Sequence, residues 1–280
     1  MPESKLMRYS AFSTDPAGGN PAGVWIGDAL PSKTEMQAVA RQVGYSETAF
    51  IAPATGFNRT VRYYSPEIEV TFCGHATIAS GVALGSIEGN GTYTFSTLVG
   101  DIPVAVTEQK GQFRAALTSV EPKTAEASVD LVEAVLSTLK WTPADLSSAI
   151  PPMLAYAGAW HLVLAVDRLE RLNQLAYDFD ALKALMEREG FTTCQLIWRE
   201  TEHVFHSRNP FPVGGVIEDP ATGAAAAALG GYLREMRLVQ VPAHILIRQG
   251  EAMGRPSRLE VEIPEKGGIV VSGTAVKIAE

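Results

Sequence analysis

Apolar residues in SKTEMQAVARQVG (32–44) recur at Met36, Val39, Ala40 and Val43, leaving the rest of the segment polar. That three- and four-residue spacing predicts an amphipathic helix. Ser32 followed three residues later by Glu35 is a capping-box pattern at its start, and Gly44 is a candidate left-handed stop. DFDALKALMEREG (178–190) has the same plan: Leu182, Leu185 and Met186 share a face, Asp180 is a candidate cap and Gly190 closes it. Short alternating or apolar runs, GVWIG, YTFSTL, IPVAVTE, WHLVLAV, HILIRQG and RLEVEI, read as strands. Two further segments, ATIASGVAL (76–84) and AAAAALGGYL (224–233), have no charged residue and no polar stripe. A helix that is apolar all round is buried all round. Both are too short to cross a bilayer, so strands must wrap them.

The chain also repeats itself. GYSETAFI (44–51) and GFTTCQLI (190–197) are separated by the same interval as Cys73 and Asp219, which head the two small-residue segments. VRYYSP (61–66) and HVFHSR (203–208) match more loosely and need compensating gaps. The expected fold is α+β, with two pseudo-symmetric domains, each a curved, mostly antiparallel sheet or barrel around a central buried helix. TSVEPKTAEAS (118–128) is polar without periodicity and is the expected linker. The halves are then 1–122 and 123–280, with the last strand free to pack back on the first half.

Composition narrows the function. The charge of −8 and pI near 5.2 come with no Lys or Arg cluster, which argues against nucleic acid and anionic membranes as partners. No basic stretch leads into an apolar run near Met1, so no secretory signal is expected. Cys73 and Cys194 make no disulfide framework, and the cytoplasm is the expected compartment. The five histidines show no metal-ligand spacing except His203 and His206, and neither G-x-G-x-x-G nor a P-loop is present. Neither a metal site nor a nucleotide site is expected from these patterns.

The helix heads carry the candidate chemistry. First-turn N–H groups of a buried helix need partners, and its dipole makes that end partly positive. Gly74 and Gly223 allow a ligand close to the backbone, so two such heads facing one cleft would grip a carboxylate without arginine. Capping alone would equally account for Cys73 and Asp219. Alternation in GYSETAFI sets Glu47 on the face of Tyr45, Ala49 and Ile51. A carboxylate there needs a partner or a proton, which suits a general acid/base and a salt-bridged structural group alike. Its counterpart in the second copy is Thr193, so the chemistry is one-sided. Cys73 and His75 could pair as thiolate and imidazole, but no acid is evident to orient them, and near neighbours on a helix point apart.

The motifs GGNPAGV (18–24), GYSETAFI (44–51), VRYYSP (61–66), CGHATIASG (73–81) and EDPATGAAA (218–226) together resemble those of the phenazine-biosynthesis PhzF-like isomerases. That family is similar in fold to diaminopimelate epimerase. The resemblance implies a cofactor-independent isomerase, commonly a homodimer, acting on a small carboxylate-bearing metabolite. It also implies Glu47 as catalytic acid/base, with His75 and Asp219 beside the reaction. Asn20, Cys73, Gly74, Thr222, Gly223 and Ala224 would line the substrate.

Two departures bear on the substrate. The phenazine enzyme has serine after D-P-A-T-G where this chain has Ala224, and the epimerase has a second cysteine where this chain has Asp219. Three readings stand: a proton-moving isomerase, an epimerase or racemase using Cys73 opposite an acid, and a binding or regulatory protein without chemistry.

Overall fold

The computed structural model describes residues 5–279 and divides the chain into two units, Met1–Thr118 with Val271–Glu280, and Ser119–Val270.

In the first unit, β1 (Lys5–Ala11) pairs antiparallel with β2 (Asn20–Ile26). Helix α1 (Lys33–Val43) leads into β3 (Glu47–Pro53), which lies parallel to β2 with Ala22 opposite Glu47. The capping box forms as its sequence predicts: Glu35 N–H donates to Ser32 Oγ at 3.3 Å, and Ser32 N–H donates to Glu35 Oε2 at 2.9 Å. Those bonds hold the Glu35 carboxyl below its usual range. Gly44 ends the helix at φ 72°.

β4 (Asn58–Tyr64) and the two-residue β5 (Glu69–Val70) precede α2 (Gly74–Glu88). Three residues outside any strand, Thr71, Phe72 and Cys73, lead from β5 into α2. β6 (Gly91–Thr97), β7 (Gly100–Gln109) and β8 (Gln112–Thr118) form an antiparallel meander. α2 is buried from Gly74 through Gly85 and packs on β1, β2, β3, β7 and β8. Its small residues permit that approach. A Cβ on Gly81 would lie 2.7 Å from Ala115 and 2.9 Å from Val104.

The second unit opens with β9 (Lys123–Glu126), inside the stretch expected to be linker. β9 pairs with β10 (Met153–Tyr156), and the main-chain bonds of that pairing outweigh the polar side chains. Between them lies α3 (Val129–Leu139). β11 (Trp160–Val166), α4 (Leu169–Asn173), α5 (Phe179–Glu189), β12 (Thr193–Arg199), β13 (Val204–Phe211) and β14 (Val216–Asp219) follow. The cap of α5 is Asp178, not Asp180. Asp178 has the extended backbone of a cap and accepts from Ala181 N–H at 3.0 Å, whereas Asp180 lies inside the first turn.

Next come α6 (Gly223–Glu235), β15 (Ala243–Gln249) and β16 (Ser257–Ile263). The small-residue helix α6 packs on β9, β10, β11 and β16, while α3 and α5 bury Leu131, Leu136, Leu182 and Met186 against Leu162, Leu164 and Leu196. Among the described pairings with a given register most are antiparallel, and β2–β3, β4–β6, β11–β12 and β13–β15 are parallel. The final strand, β17 (Val270–Lys277), pairs with β1. No helix among the described residues is long and apolar enough to cross a membrane.

Candidate active site

Parallel pairing of β2 with β3 brings their first residues, Asn20 and Glu47, to one end of the first unit, where α2 begins. Cys73 is the N-cap of α2, in extended conformation (φ −145°, ψ 115°), and makes no side-chain cap bond to the helix. His75 lies in the first turn and is buried, and the neighbours close around its ring. Asn20 Nδ2 is 3.1 Å from His75 Nδ1, and Cys73 Sγ is 3.4 Å from the same atom. On the other side, Ser46 Oγ is 3.5 Å and Glu47 Oε2 is 3.4 Å from His75 Nε2. An amide nitrogen only donates, so Nδ1 accepts from Asn20 and the ring proton sits on Nε2, facing Glu47. The Glu47 side chain is 14% exposed, enough for a small molecule to reach it.

The Cys73–His75 contact corrects the expectation that the two point apart. Helical spacing does not govern a residue outside the helix, and the extended cap turns Cys73 back over the first turn. The acid expected to be missing is Glu47. Carboxylate, thiol and imidazole donor atoms all lie within 4.8 Å of one another, close enough to meet a single divalent ion. Among the described residues this is the one such trio. His206 instead bonds Glu200 at 2.8 Å, in a group that His203 does not join.

In the second unit, β14 ends at Asp219 and Thr222 is the N-cap of α6. Asp219 therefore stands three residues before the cap and does not cap the helix itself. Its Oδ2 accepts from Thr222 Oγ1 at 2.6 Å. Gln249 clasps the loop: Nε2 donates to Asp219 O at 2.7 Å and to Thr222 Oγ1 at 3.0 Å, and Oε1 accepts from Thr222 N–H at 3.3 Å. Gly223 is buried and Ala224 half-buried at the start of α6. Gly250 (φ 77°) packs on Pro220, where a Cβ would come within 2.7 Å of its carbonyl oxygen.

A family profile described as phenazine biosynthesis-like protein, PhzC-PhzF, matches residues 9–280. The chain belongs to that family. It is 31% identical to the uncharacterized isomerase YfhB of Bacillus subtilis over 286 residues, covering 99% of this chain and 97% of the relative. It is 29% identical to the trans-2,3-dihydro-3-hydroxyanthranilate isomerase of Pseudomonas chlororaphis, covering 95% and 94%. The crystal structure of a PhzF-family protein from Bacillus anthracis superposes with a TM-score of 0.84 at 24% identity, covering 98% of each chain. The chain is a PhzF-family isomerase, and the α+β fold of wrapped central helices expected from its repeat is the fold of that family.

Of the residues singled out in the sequence, Asn20, Glu47, Cys73, Gly74 and His75 gather at the head of α2, and Asp219, Thr222, Gly223 and Ala224 at the head of α6. Ser46 and Gln249 were missed. Ser46 lies one residue from a named candidate, but nothing local marks Gln249, whose role depends on the register of β15.

Proposed function

We propose that this isomerase moves a proton between carbons of a small carboxylic acid, with Glu47 as the carrier and side chains alone doing the transfer. The observation that supports this best is the position of Glu47, 3.4 Å from Nε2 of a buried His75 whose other nitrogen is held by Asn20. Such a carboxylate takes a proton from an acidic C–H, and His75 steadies its charge while it does so. First-turn N–H groups of α2, beside Glu47 and left without a side-chain cap, are receptors for the polar groups of the acid. Because Ala224 lacks the hydroxyl of the phenazine enzyme, the natural acid differs from dihydrohydroxyanthranilate, though that compound is the first to try.

The test is hydrogen exchange into dihydrohydroxyanthranilate and a panel of small acids in D₂O, followed by proton NMR. Glu47→Gln should slow exchange by about 10²–10⁴-fold while the fold, read by circular dichroism, is unchanged. Wild-type exchange in Glu47→Gln would refute the assignment.

A second reading has one observation in its favour: Cys73 Sγ reaches the same imidazole at 3.4 Å, opposite Glu47. If the reaction is a two-base epimerisation, Cys73→Ser loses activity as deeply as Glu47→Gln. If Glu47 works alone, Cys73→Ser keeps most of its rate.

A further inference from the structure

Four buried polar side chains inside the second unit hold five atoms without a hydrogen-bond partner, gathered around a fifth side chain, Thr193, that is paired. His161, Thr193, Gln195, Ser207 and Asn209 are each 3% exposed or less. Strand alternation and register put all five on one face. Thr193 and Gln195 are two apart on β12, and Ser207 and Asn209 are two apart on β13. His161 is opposite Thr193, and the pairing of Leu196 with Arg208 sets Gln195 beside Asn209. The opposite face of these strands sends Leu162, Leu164, Cys194 and Leu196 into an apolar core.

The bonds that do form fix the state of the imidazole. Thr193 Oγ1 donates to Asn209 Oδ1 at 3.4 Å and therefore accepts from His161 Nδ1–H at 2.8 Å. Burial pushes the His161 pKa down to about 3, so the ring is neutral and Nε2 is a bare acceptor. Among the described residues that Nε2 has no partner, and neither do both amide atoms of Gln195, Ser207 Oγ or Asn209 Nδ2. Turning the Asn209 amide over exchanges donors for acceptors but still leaves one of its atoms and His161 Nε2 unmet. Single buried orphans are tolerated, but a patch of five calls for a guest. That guest must give a hydrogen bond to Nε2 and accept one from an amide. No member of the patch is charged, so the guest is neutral: a hydroxyl group or a water.

The patch adjoins the residues already assigned to the second unit's site. Asn209 is the register partner of Asp219, which places both side chains on one face, and Ser207 is the partner of Gln249, which clasps Asp219 and Thr222. The first unit differs at the corresponding positions. Ala49 stands at the place of Gln195, and Tyr63, opposite Ala49, is satisfied by Thr77 Oγ1 at 2.6 Å.

We infer that His161, Thr193, Gln195, Ser207 and Asn209 form a specificity subsite for a hydroxyl group on the bound acid, occupied by water when the acid lacks one. This rests on the reading of the protein as an isomerase of small acids.

Two measurements on the full chain test it. Calorimetric titration compares acids that differ by one hydroxyl, malate with succinate and 3-hydroxyanthranilate with anthranilate. The wild type should prefer the hydroxylated member of at least one pair by about tenfold or more, since a buried site built for a hydroxyl discriminates against its absence. Gln195→Met, with Ser207→Ala as the smaller change should the first fail to fold, should bring the preference within about twofold. Acids that bind without preference overturn the subsite alone, whereas a protein that binds none of them overturns the acid reading and the subsite together. Crystals grown with and without the preferred acid should show a water within about 3.2 Å of His161 Nε2, replaced by the acid's hydroxyl. A dry patch with the five side chains paired to one another, or a water that stays when the acid is bound, overturns the proposal.

Discussion

His161 makes the stability of the protein depend on pH in a calculable way. Its folded pKa is lowered to about 3 because the ring is fully enclosed and its charged form cannot be solvated. In the unfolded chain the same ring titrates near about 6.5. As pH falls, the unfolded state takes up the proton first, so it gains relative to the folded state. The contribution is intact above about pH 6.5 and is lost between there and about pH 3. Each pH unit in that window removes about 1.4 kcal/mol, so the loss at pH 5 is about 2 kcal/mol. Urea unfolding of the wild type and of His161→Gln at pH 7 and pH 5 isolates it. The variant cannot charge at this site, so its loss between the two pH values should be smaller than the wild type's by about 2 kcal/mol. The other titrating groups are common to both proteins and cancel in the difference. Equal losses would show that the ring protonates in place, and the enclosed-imidazole argument would fail.

Glu218 and Arg208 form a buried two-pronged pair, with Nε to Oε1 at 3.0 Å and Nη2 to Oε2 at 2.5 Å. Arg208→Met leaves the carboxylate stranded and should cost about 3–5 kcal/mol in urea unfolding, and Glu218→Gln added to it should recover part of the loss. No recovery would mean that the arginine acts through its bonds to the Leu172 and Asn173 carbonyls instead. Ser32→Ala removes one capping bond from an exposed helix end and should lower stability by about 1 kcal/mol, with a loss near zero indicating that solvent caps α1 equally well.

How much of this could be read in the chain depended on how local each cause is. The caps Ser32 and Gly44 were legible because their partners lie within four residues. The burial of α2 and α6 was legible because no polar face exists for water to cover. Asp180 was chosen over Asp178 because both are aspartates near the helix start, and only the backbone angle separates a cap from a first-turn residue. The Cys73–His75 contact was hidden because a helical rule was applied to a residue outside the helix. Gln249 and Ser207 were out of reach, since their positions come from parallel pairing of β13 with β15, between segments far apart in sequence. His161 was counted only as a failed metal ligand. Its meaning emerged once Thr193, already marked as the counterpart of Glu47, was found beside it.

That counterpart relation leads to a last expectation. The two copies share a frame of strand, turn and small-residue helix, yet the inner position with a carboxylate in one has a hydroxyl in the other. A threonine bonded to a neutral imidazole and an amide cannot take a proton from carbon, so it offers no second base. On the proposed single-base reading, Glu47 then delivers the same proton it removed, unless the proton exchanges with solvent first. Its side chain is largely covered, with the Nε2 proton of His75 beside it, which slows that exchange. A substrate carrying deuterium at the reacting carbon, turned over in ordinary water, should therefore yield product that keeps a measurable part of its label at the new position. Retention should rise with the rate of turnover relative to exchange. A two-base reaction draws the incoming proton from a different group, one that carries a proton from solvent, and washes the label out completely. Full washout in the first turnover, with Glu47→Gln inactive, would mean that a second group delivers the proton, and Cys73 at 3.4 Å from His75 is then the group to replace.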